Sequence, residues 1–590
     1  MQTPDAADKP VDVGSGRVAA SFDTASAAWL SIGATHPELG FVELSALPLF
    51  DERSRGDPAA TRRHRLAMTE PDHAWLMVDV DGSAPPLIAL HEAGARVARW
   101  DGGSMTVEAW APDDEMTVVQ RWRFHDGPRE VAIRVRGRLD RPALAEVTEI
   151  DPPQPTGGRS SWDHAGDDAV ACTGTAGRVT VRVAAPWERV DGGFAARVRA
   201  VEVAVWVTIG AVDTGGAFPQ TPSPTDIGRD RLTARSLAYI RGCTTLRFGP
   251  DERTMLTDHR ILPLSWTRDA YWQAQALLVA DGPGDRERVA DHLRWLWRRC
   301  ERPDGRWVRS HHANGRRKDL AFQADQQLYP MVELADWWRL TGSVPDGVDW
   351  PTALHGAWGV IRVAIDQDTG LVPSAENAAD DPAAAPFIAA SQLVAWYTAE
   401  RLAELGEATG LGPSPASLRE DAASLRASFD RHFAAVAPWP YAVDGTGGRI
   451  AYHDANDLPV ALAPAWGYCA ASDPGWRATM DFALGPSNPG WVTGERAGLG
   501  SAHTPGPWTL GDIQRWIAGR LTGDESSPLA AARRLDEVAF SDGMLPEAYA
   551  AEGAGRVRHW FAWPGAAWAA LRMLDDQDRL GTALLAVEGR

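Results

Sequence analysis

The chain has 590 residues, of which 44% are hydrophobic and 23% are charged, as in typical globular proteins. This length exceeds what one hydrophobic core usually organises, so two or three domains are expected. The formal net charge of −20 makes nucleic-acid backbones and anionic membranes poor partners, and we expect the protein to bind neither.

The first third of the chain has the alternating pattern of β-strands. In 131–135 and 179–183, valine and isoleucine alternate with small or polar residues, and AVEVAVWVTIGAV (200–212) continues the pattern. Strict alternation with one polar face is typical of antiparallel sheets. We therefore predict that residues 1–213 form an antiparallel β-sandwich domain.

A linker and a helical region follow the strands. TGGAFPQTPSPTD (214–226) is rich in Pro, Gly, Ser and Thr, so residues 214–231 are predicted to be a linker. Beyond it the hydrophobic period becomes helical, and residues 232–590 are predicted to form an almost wholly α-helical catalytic domain. The clearest helical segments are 286–300, 326–342, 391–406 and 424–433. A toroid of helix pairs, a bundle and a solenoid all fit this periodicity.

The cysteines and the hydropathy indicate the compartment. The four cysteines are far apart and include no CxxC pair, so neither a disulfide framework nor a cysteine zinc site is predicted. The N-terminal stretch MQTPDAADKPVD has no basic start and no apolar core of a secretory signal. No run of 18 apolar residues predicts a transmembrane helix. These features predict a cytoplasmic protein.

Tryptophan is the compositional exception, with 27 residues against 8 tyrosines. Large rings usually fill cores, but tryptophan faces also stack on sugars. The stretch WTRDAYWQ (266–273) raises the same question, because Arg268 and Asp269 lie between Trp266 and Trp272. It is either a packed helix start with a charge pair or part of a sugar-binding cleft.

Carboxylates occur in two loops near aromatic residues. PSAENAADDPAAAPF (373–387) contains Glu376, Asp380 and Asp381, and Glu547 precedes an aromatic cluster that ends at Trp568. Such residues are either solvated caps or an acid and a base. Glycoside hydrolysis with inversion needs two carboxyl groups about 6.5–9.5 Å apart with a water between them. Metalloprotease, phosphate-loop and dinucleotide-binding signatures are missing from the sequence.

The order of these motifs resembles glycoside hydrolase family 125, the metal-independent exo-α-mannosidases, and more distantly family 15, the glucoamylases. The resemblance covers about residues 235–575. It implies an inverting enzyme with an (α/α)6 toroid, preceded by a β-sandwich as in bacterial glucoamylase-like enzymes. The segments that carry it are WTRDA (266–270), FQADQQLYPMVELADWW (322–338), ADDPAAAPFIAASQLVAW (379–396), HDANDLPVALAPAWGY (453–468), GLGSAHTPGPW (498–508) and LPEAYAAEGAGRVRHWFAWPGA (545–566).

The resemblance also implies roles for individual residues. Asp380 matches the general acid, with Asp381 as the second candidate and Glu376 as the third, and Glu547 matches the base. The residues that match the pocket for the terminal sugar are Trp266, Arg268, Asp269, Asp325, Asn456, His503, Trp560 and Trp563.

We therefore predict an inverting exo-acting α-glycoside hydrolase that removes a terminal sugar, with α-mannosides favoured. Its partner is an oligosaccharide or another glycoside, and no metal or other cofactor is expected. One alternative is a glucoamylase-type α-glucosidase, because SWTRDA (265–270) is closer to the glucoamylase pattern. The others are a glycoside phosphorylase and a non-catalytic carbohydrate-binding protein on the same fold.

Overall fold

The computed structural model describes residues 8–47, 57–90, 97–141, 159–210, 228–557 and 559–580. Strands dominate the first part of these residues and helices the second, so the predicted fold class is confirmed. Most of the predicted linker, 214–227, and the last residues, 581–590, lie outside the described residues.

The sheet-rich region consists mainly of antiparallel strands. In the described residues these are β1 (Val11–Gly14), β2 (Val18–Phe22), β3 (Trp29–His36), β4 (Gly40–Ser45), β5 (Leu76–Val80), β6 (Ile88–Leu90), β7 (Val97–Asp101), β8 (Met105–Trp110), β9 (Thr117–Phe124), β10 (Arg129–Arg136), β11 (Arg138–Asp140), β12 (Ser160–His164), β13 (Ala169–Gly174), β14 (Gly177–Arg182), β15 (Trp187–Val190), β16 (Gly193–Ala200) and β17 (Glu202–Ile209).

Two antiparallel sheets share one hydrophobic core in this region. One has the order β1-β2-β3-β5-β10-β16-β15, with β4 beside β3 and β11 beside β4, and the other has the order β12-β13-β14-β17-β9-β8-β7-β6. Side chains from both sheets meet in the core, including Trp29 from the first and Trp100 and Trp122 from the second. The alternation predicted for 131–135 is confirmed, since its valines and isoleucine are buried while Arg134 is exposed.

The helices begin with one that the sequence analysis did not predict. Helix α1 (Pro58–Ala67) lies between β4 and β5, and Asp57 caps its N-terminus. The others in the described residues are α2 (Arg231–Tyr239), α3 (Thr267–Ala280), α4 (Asp285–Arg294), α5 (Ala324–Thr341), α6 (Trp350–Ala364), α7 (Ala389–Thr409), α8 (Pro415–Phe429), α9 (Leu458–Leu462), α10 (Pro474–Ala483), α11 (Thr509–Thr522), α12 (Ser526–Val538) and α13 (Ala562–Asp576). Within the described ranges, none of these helices is both long and apolar enough to cross a membrane.

Six of the described helices form a closed inner ring. Helix α3 contacts α5, α5 contacts α7, α7 contacts α9, α9 contacts α11, α11 contacts α13, and α13 contacts α3. Outside this ring, α4 packs on α3, α6 on α5, α8 on α7, α12 on α11 and α2 on α13. Each outer helix that follows an inner helix carries the chain back to the end of the ring at which that inner helix began. The N-termini of the inner helices therefore come together at one end of the ring, and the predicted site residues occur there.

Short strands, arranged in three pairs and one group of three in the described residues, make the helical region less uniform than predicted. They are too short to give a period in the sequence, yet they satisfy backbone N–H and C=O groups in the loops. In the described residues they are β18 (Thr245–Gly249), β19 (Glu252–Met255), β20 (Leu264–Ser265), β21 (His311–His312), β22 (Phe387–Ile388), β23 (Ala442–Val443), β24 (Arg449–Ile450), β25 (Trp491–Val492) and β26 (Gly498–Leu499).

The two regions are packed tightly against each other. A Cβ atom added to Gly14 would lie 2.2 Å from the carbonyl oxygen of Gly242, so glycine is required for this close approach. Lys9 Nζ lies 2.7 Å from Asp12 Oδ2 and 2.7 Å from Asp542 Oδ2, and all three side chains are buried. This ion pair joins the N-terminal strand region to a loop between α12 and α13.

Candidate active site

A cavity lies at the end of the ring where the inner helices begin. It collects eight of the residues nominated from the sequence, which come from segments up to 297 positions apart (266 to 563). Asp325, Asp381, Glu376 and Trp560 do not line it. The lining residues are Thr257, Leu262, Trp266, Arg268, Asp269, Ala378, Ala379, Asp380, Asn456, His503, Trp508, Glu547, His559, Phe561 and Trp563.

Arg268 and Asp269 lie in the first turn of α3 and form one wall of the cavity. Arg268 Nη1 donates to Asp325 Oδ2 at 3.0 Å, and its guanidinium lies 4.6 Å from the centre of the Trp563 ring. Asp325 therefore orients the arginine from behind. Burial lowers the pKa of Arg268, but Asp325 and Asp269 outweigh it and raise that pKa above its ordinary value. The arginine is a fixed positive charge.

Asp269 is set up to accept a hydrogen bond from a ligand. Its Oδ1 accepts from Thr257 Oγ1 at 2.5 Å, while Oδ2 lies 3.5 Å from Arg268 Nη2 and accepts no hydrogen bond from the described residues. Burial raises the pKa of Asp269 to about 6, although the arginine opposes the shift. A sugar hydroxyl that donates to Oδ2 would satisfy this buried oxygen.

Arg268→Ala is expected to lower the free energy of unfolding by about 3–5 kcal/mol, because it leaves the buried carboxylates of Asp269 and Asp325 without their counter-charge. Urea unfolding measures the change. The control is Arg286→Ala, which breaks an exposed pair with Asp281 and should cost less than about 1 kcal/mol. Equal effects of the two substitutions would contradict the importance of burial at Arg268.

The three carboxylates of the acidic loop after α6 (Glu376, Asp380 and Asp381) have different partners. Asp380 lines the cavity, and its Oδ1 accepts from Gln323 Nε2 at 2.6 Å while Oδ2 accepts from Trp266 Nε1 at 3.0 Å. Its φ of 65° is left-handed, a conformation that aspartate adopts more readily than most residues. Glu376 pairs instead with Arg309, whose Nη1 lies 3.0 Å from Oε1. Asp380 is therefore the carboxylate of this loop that faces the cavity.

Asp381 lies beside His503 at the edge of the cavity. His503 Nδ1 and Asp381 Oδ1 are 3.2 Å apart, and each side chain is about one third exposed, at 37% and 35%. Burial lowers the pKa of His503, but the contact with Asp381 and the charge of Glu547 raise it overall. His503 can therefore carry a positive charge near the opening of the cavity.

Asn456 supplies an acceptor that a hydroxyl could reach. Its Nδ2 donates to Asp454 Oδ1 at 2.7 Å, which fixes the orientation of the amide. Its Oδ1 is buried and has no hydrogen-bond partner among the described residues. Because a buried acceptor without a partner is unfavourable, this oxygen is suited to a ligand hydroxyl.

Glu547 is far from the acidic loop in the sequence and lies in the segment that precedes α13. It is buried, and its Oε2 lies 3.7 Å from Nδ1 of His559, whose Nε2 lies 3.5 Å from Oδ2 of the buried Asp258. Burial alone would raise the pKa of Glu547, but the contact with His559 and the charges of His559 and His503 lower it to about 2. Glu547 is therefore ionised at neutral pH.

The segment 559–561 shows which residues the sequence analysis missed. It is extended, so consecutive side chains alternate in direction. His559 and Phe561 line the cavity, whereas Trp560 is fully buried behind it, with Lys9 Nζ 4.8 Å from the centre of its ring. Trp560, which was nominated for the sugar pocket, does not line this cavity, whereas its neighbours His559 and Phe561 do. Strand alternation separates Trp560 from His559 and Phe561, but it does not indicate which of the two sides faces the cavity.

The comparisons agree with the motif order. Residues 359–573 match the family model described as metal-independent alpha-mannosidase (GH125). This match confirms the predicted family resemblance and the class of glycoside hydrolase. No curated protein sequence matches the chain.

Two solved structures resemble the fold. A metal-independent alpha-mannosidase from Streptococcus pneumoniae, in a non-productive complex with alpha-1,6-mannobiose, covers 58% of this chain and 93% of its own, with 19% identity and a TM-score of 0.51. A bacterial glucoamylase complexed with acarbose covers 99% of this chain and 97% of its own, with 11% identity and a TM-score of 0.63. The glucoamylase likeness therefore extends to the sheet-rich region. The family match supports a glycoside hydrolase, and the two likenesses show that the fold is shared.

Proposed function

We propose that this chain, whose helical region matches the metal-independent α-mannosidases, is an inverting exo-acting α-glycosidase that favours α-mannosides. The observation that carries the proposal is that Asp380 and Glu547 both line one cavity with the Arg268–Asp269 pair. The catalytic unit is proposed to be residues 232–590, preceded by a linker at 214–231 and a β-sandwich at 1–213.

The mechanism uses the two carboxyl groups in different protonation states. Glu547, ionised at neutral pH, takes a proton from a water as the water oxygen attacks the anomeric carbon. Asp380 must be protonated at that moment, and it gives its proton to the glycosidic oxygen as the bond to the anomeric carbon breaks. The products are the free sugar, with inverted configuration, and the aglycone alcohol.

Several groups of the cavity support binding of a terminal sugar. The Oδ2 atom of Asp269 and the Oδ1 atom of Asn456 are buried acceptors without hydrogen-bond donors among the described residues, and Arg268 is a fixed donor. Trp563 and Phe561 add aromatic surface. Buried polar groups of this kind prefer a ligand whose hydroxyls complete their hydrogen bonds.

An α-glucoside is the second candidate substrate. The observation that favours it is the likeness to a bacterial glucoamylase, which spans 99% of the chain and includes the sheet-rich region. The α-mannoside is favoured because the family model that matches residues 359–573 describes α-mannosidases.

A panel of α-mannosides and α-glucosides tests the proposal, with proton NMR recording the anomer that is first released. We expect release of a single terminal sugar, fastest from an α-mannoside, with inverted configuration. Retention of configuration would contradict the mechanism. Turnover that needs phosphate would favour a phosphorylase, and binding of glycosides without turnover would favour a carbohydrate-binding protein.

A further inference from the structure

Asp258 is a fully buried carboxylate with a fixed orientation. Its Oδ1 accepts the backbone N–H groups of the three residues at 260–262. Its Oδ2 lies 3.5 Å from Nε2 of His559, and Nδ1 of the same ring lies 3.7 Å from Oε2 of Glu547. The imidazole therefore lies at ion-pair distance from two carboxylates, one held by the backbone and one in the cavity.

The charges around His559 favour its protonated form. Burial lowers the pKa of His559, but Asp258 and Glu547 raise it to about 9, against a smaller opposing effect of Arg65 on α1. The ring also stacks on Phe561, with the ring centres 5.1 Å apart. A protonated imidazole in a fixed place can hold Oε2 of Glu547 and leave Oε1 to bind a water.

The sheet-rich region holds the segment that contains Asp258. His259 Nε2 lies 3.1 Å from Ser21 Oγ in β2, and Arg260 Nη1 lies 2.6 Å from Glu43 Oε2 in β4. Both side chains are buried. Residues 258–260 thus contact the sheet-rich region with two side chains, and the third, Asp258, contacts His559 at the cavity wall.

We propose that Asp258 and His559 are positioning residues for Glu547, and that the sheet-rich region helps to keep them in place through His259 and Arg260. This inference rests on the proposed function of Glu547 as the base. A base must be ionised and aimed at its water, and the chain Asp258–His559–Glu547 provides both. The sheet-rich region then helps to position the base, in addition to supporting the helical ring.

The variants Asp258→Asn and His559→Gln test the proposal with the glycoside that the wild type hydrolyses fastest. We expect kcat to fall at least about tenfold, but by less than the 10²–10⁴-fold that a general base contributes, with KM nearly unchanged. In His559→Gln the acid limb of the pH profile should move to higher pH, because Glu547 loses the positive charge that lowers its pKa. In Asp258→Asn the acid limb should move less, because His559 is still protonated at acid pH. The matched controls are Asp368→Asn and His355→Gln, both at exposed positions.

A second measurement does not depend on activity. In protein labelled with ¹³C at histidine Cε1, the NMR signal that disappears in His559→Gln belongs to His559. We expect it to remain that of an imidazolium up to about pH 9 in the wild type and to titrate at lower pH in Asp258→Asn. The asparagine keeps the acceptor for the backbone N–H groups, so this variant should fold.

The two readouts separate the inference from the proposed function. An unchanged kcat in both variants, or an unchanged titration of His559 in Asp258→Asn, would overturn the positioning role. A wild-type protein that hydrolyses no glycoside would contradict the proposed function, while the titration would still show whether Asp258 and His559 form the ion pair.

Discussion

Glu547→Gln is expected to lower kcat by about 10²–10⁴-fold or more, with little change in KM. Glutamine has nearly the same shape as glutamate, but its amide cannot accept the proton of the attacking water. The substitution also leaves the protonated His559 facing Asp258 alone, so the protein should still fold. Steady-state kinetics on the best glycoside measure the effect, and thermal unfolding checks the fold.

The control for this substitution is Glu420→Gln, at an exposed position on α8, which should leave kcat unchanged. Turnover that survives Glu547→Gln would contradict the assignment of the base. If the surviving turnover depended on phosphate, it would indicate a phosphorylase, because phosphate then replaces the activated water as the nucleophile.

Asp380→Asn is expected to give the second large loss, about 10²–10⁴-fold in kcat, on glycosides whose leaving group needs a proton. The loss should be much smaller on an aryl glycoside such as a nitrophenyl glycoside, because that leaving group departs without protonation. The ratio of the two losses identifies a general acid. Kinetics on a disaccharide and on the matching nitrophenyl glycoside provide it.

The neighbouring carboxylates serve as controls for the acid. Asp381→Asn and Glu376→Gln should not show this dependence on the leaving group, since Asp381 contacts His503 and Glu376 pairs with Arg309. A dependence on the leaving group in Asp381→Asn alone, with Asp380→Asn nearly fully active, would transfer the role of acid to Asp381.

The hydrogen bonds of Asp380 hold its carboxyl group at the cavity wall. Both of its oxygens accept bonds from neutral donors, Gln323 and Trp266.

The abundance of tryptophan is compatible with core filling and with a sugar-binding cleft, and the structure shows which indoles fill cores and which line the cavity. Most of the large indoles fill cores, as Trp29, Trp122 and Trp358 do with no exposed surface. Trp266 and Trp563 line the cavity, where one donates to Asp380 and the other lies over Arg268. Composition alone could not separate these groups, because both place the ring in a largely buried environment.

Local periodicity and motif order allowed much of this protein to be predicted from its sequence. The change from alternating to helical spacing depends on neighbouring residues only, and it predicted the strands around 131–135 and the helices around 326–342 and 391–406. The order of the loop motifs predicted the family resemblance and nominated Asp380 and Glu547, both of which line the cavity.

The tertiary structure alone decided how the loop residues face one another. Asp258 is far from Glu547 and His559 in the sequence, and its contact with His559 depends on the closed ring that brings the N-termini of the inner helices together. The side of the chain on which Trp560 is buried depends on the packing of an extended segment against Lys9. Periodicity indicates which residues share a face of one element, but long-range packing determines what that face meets.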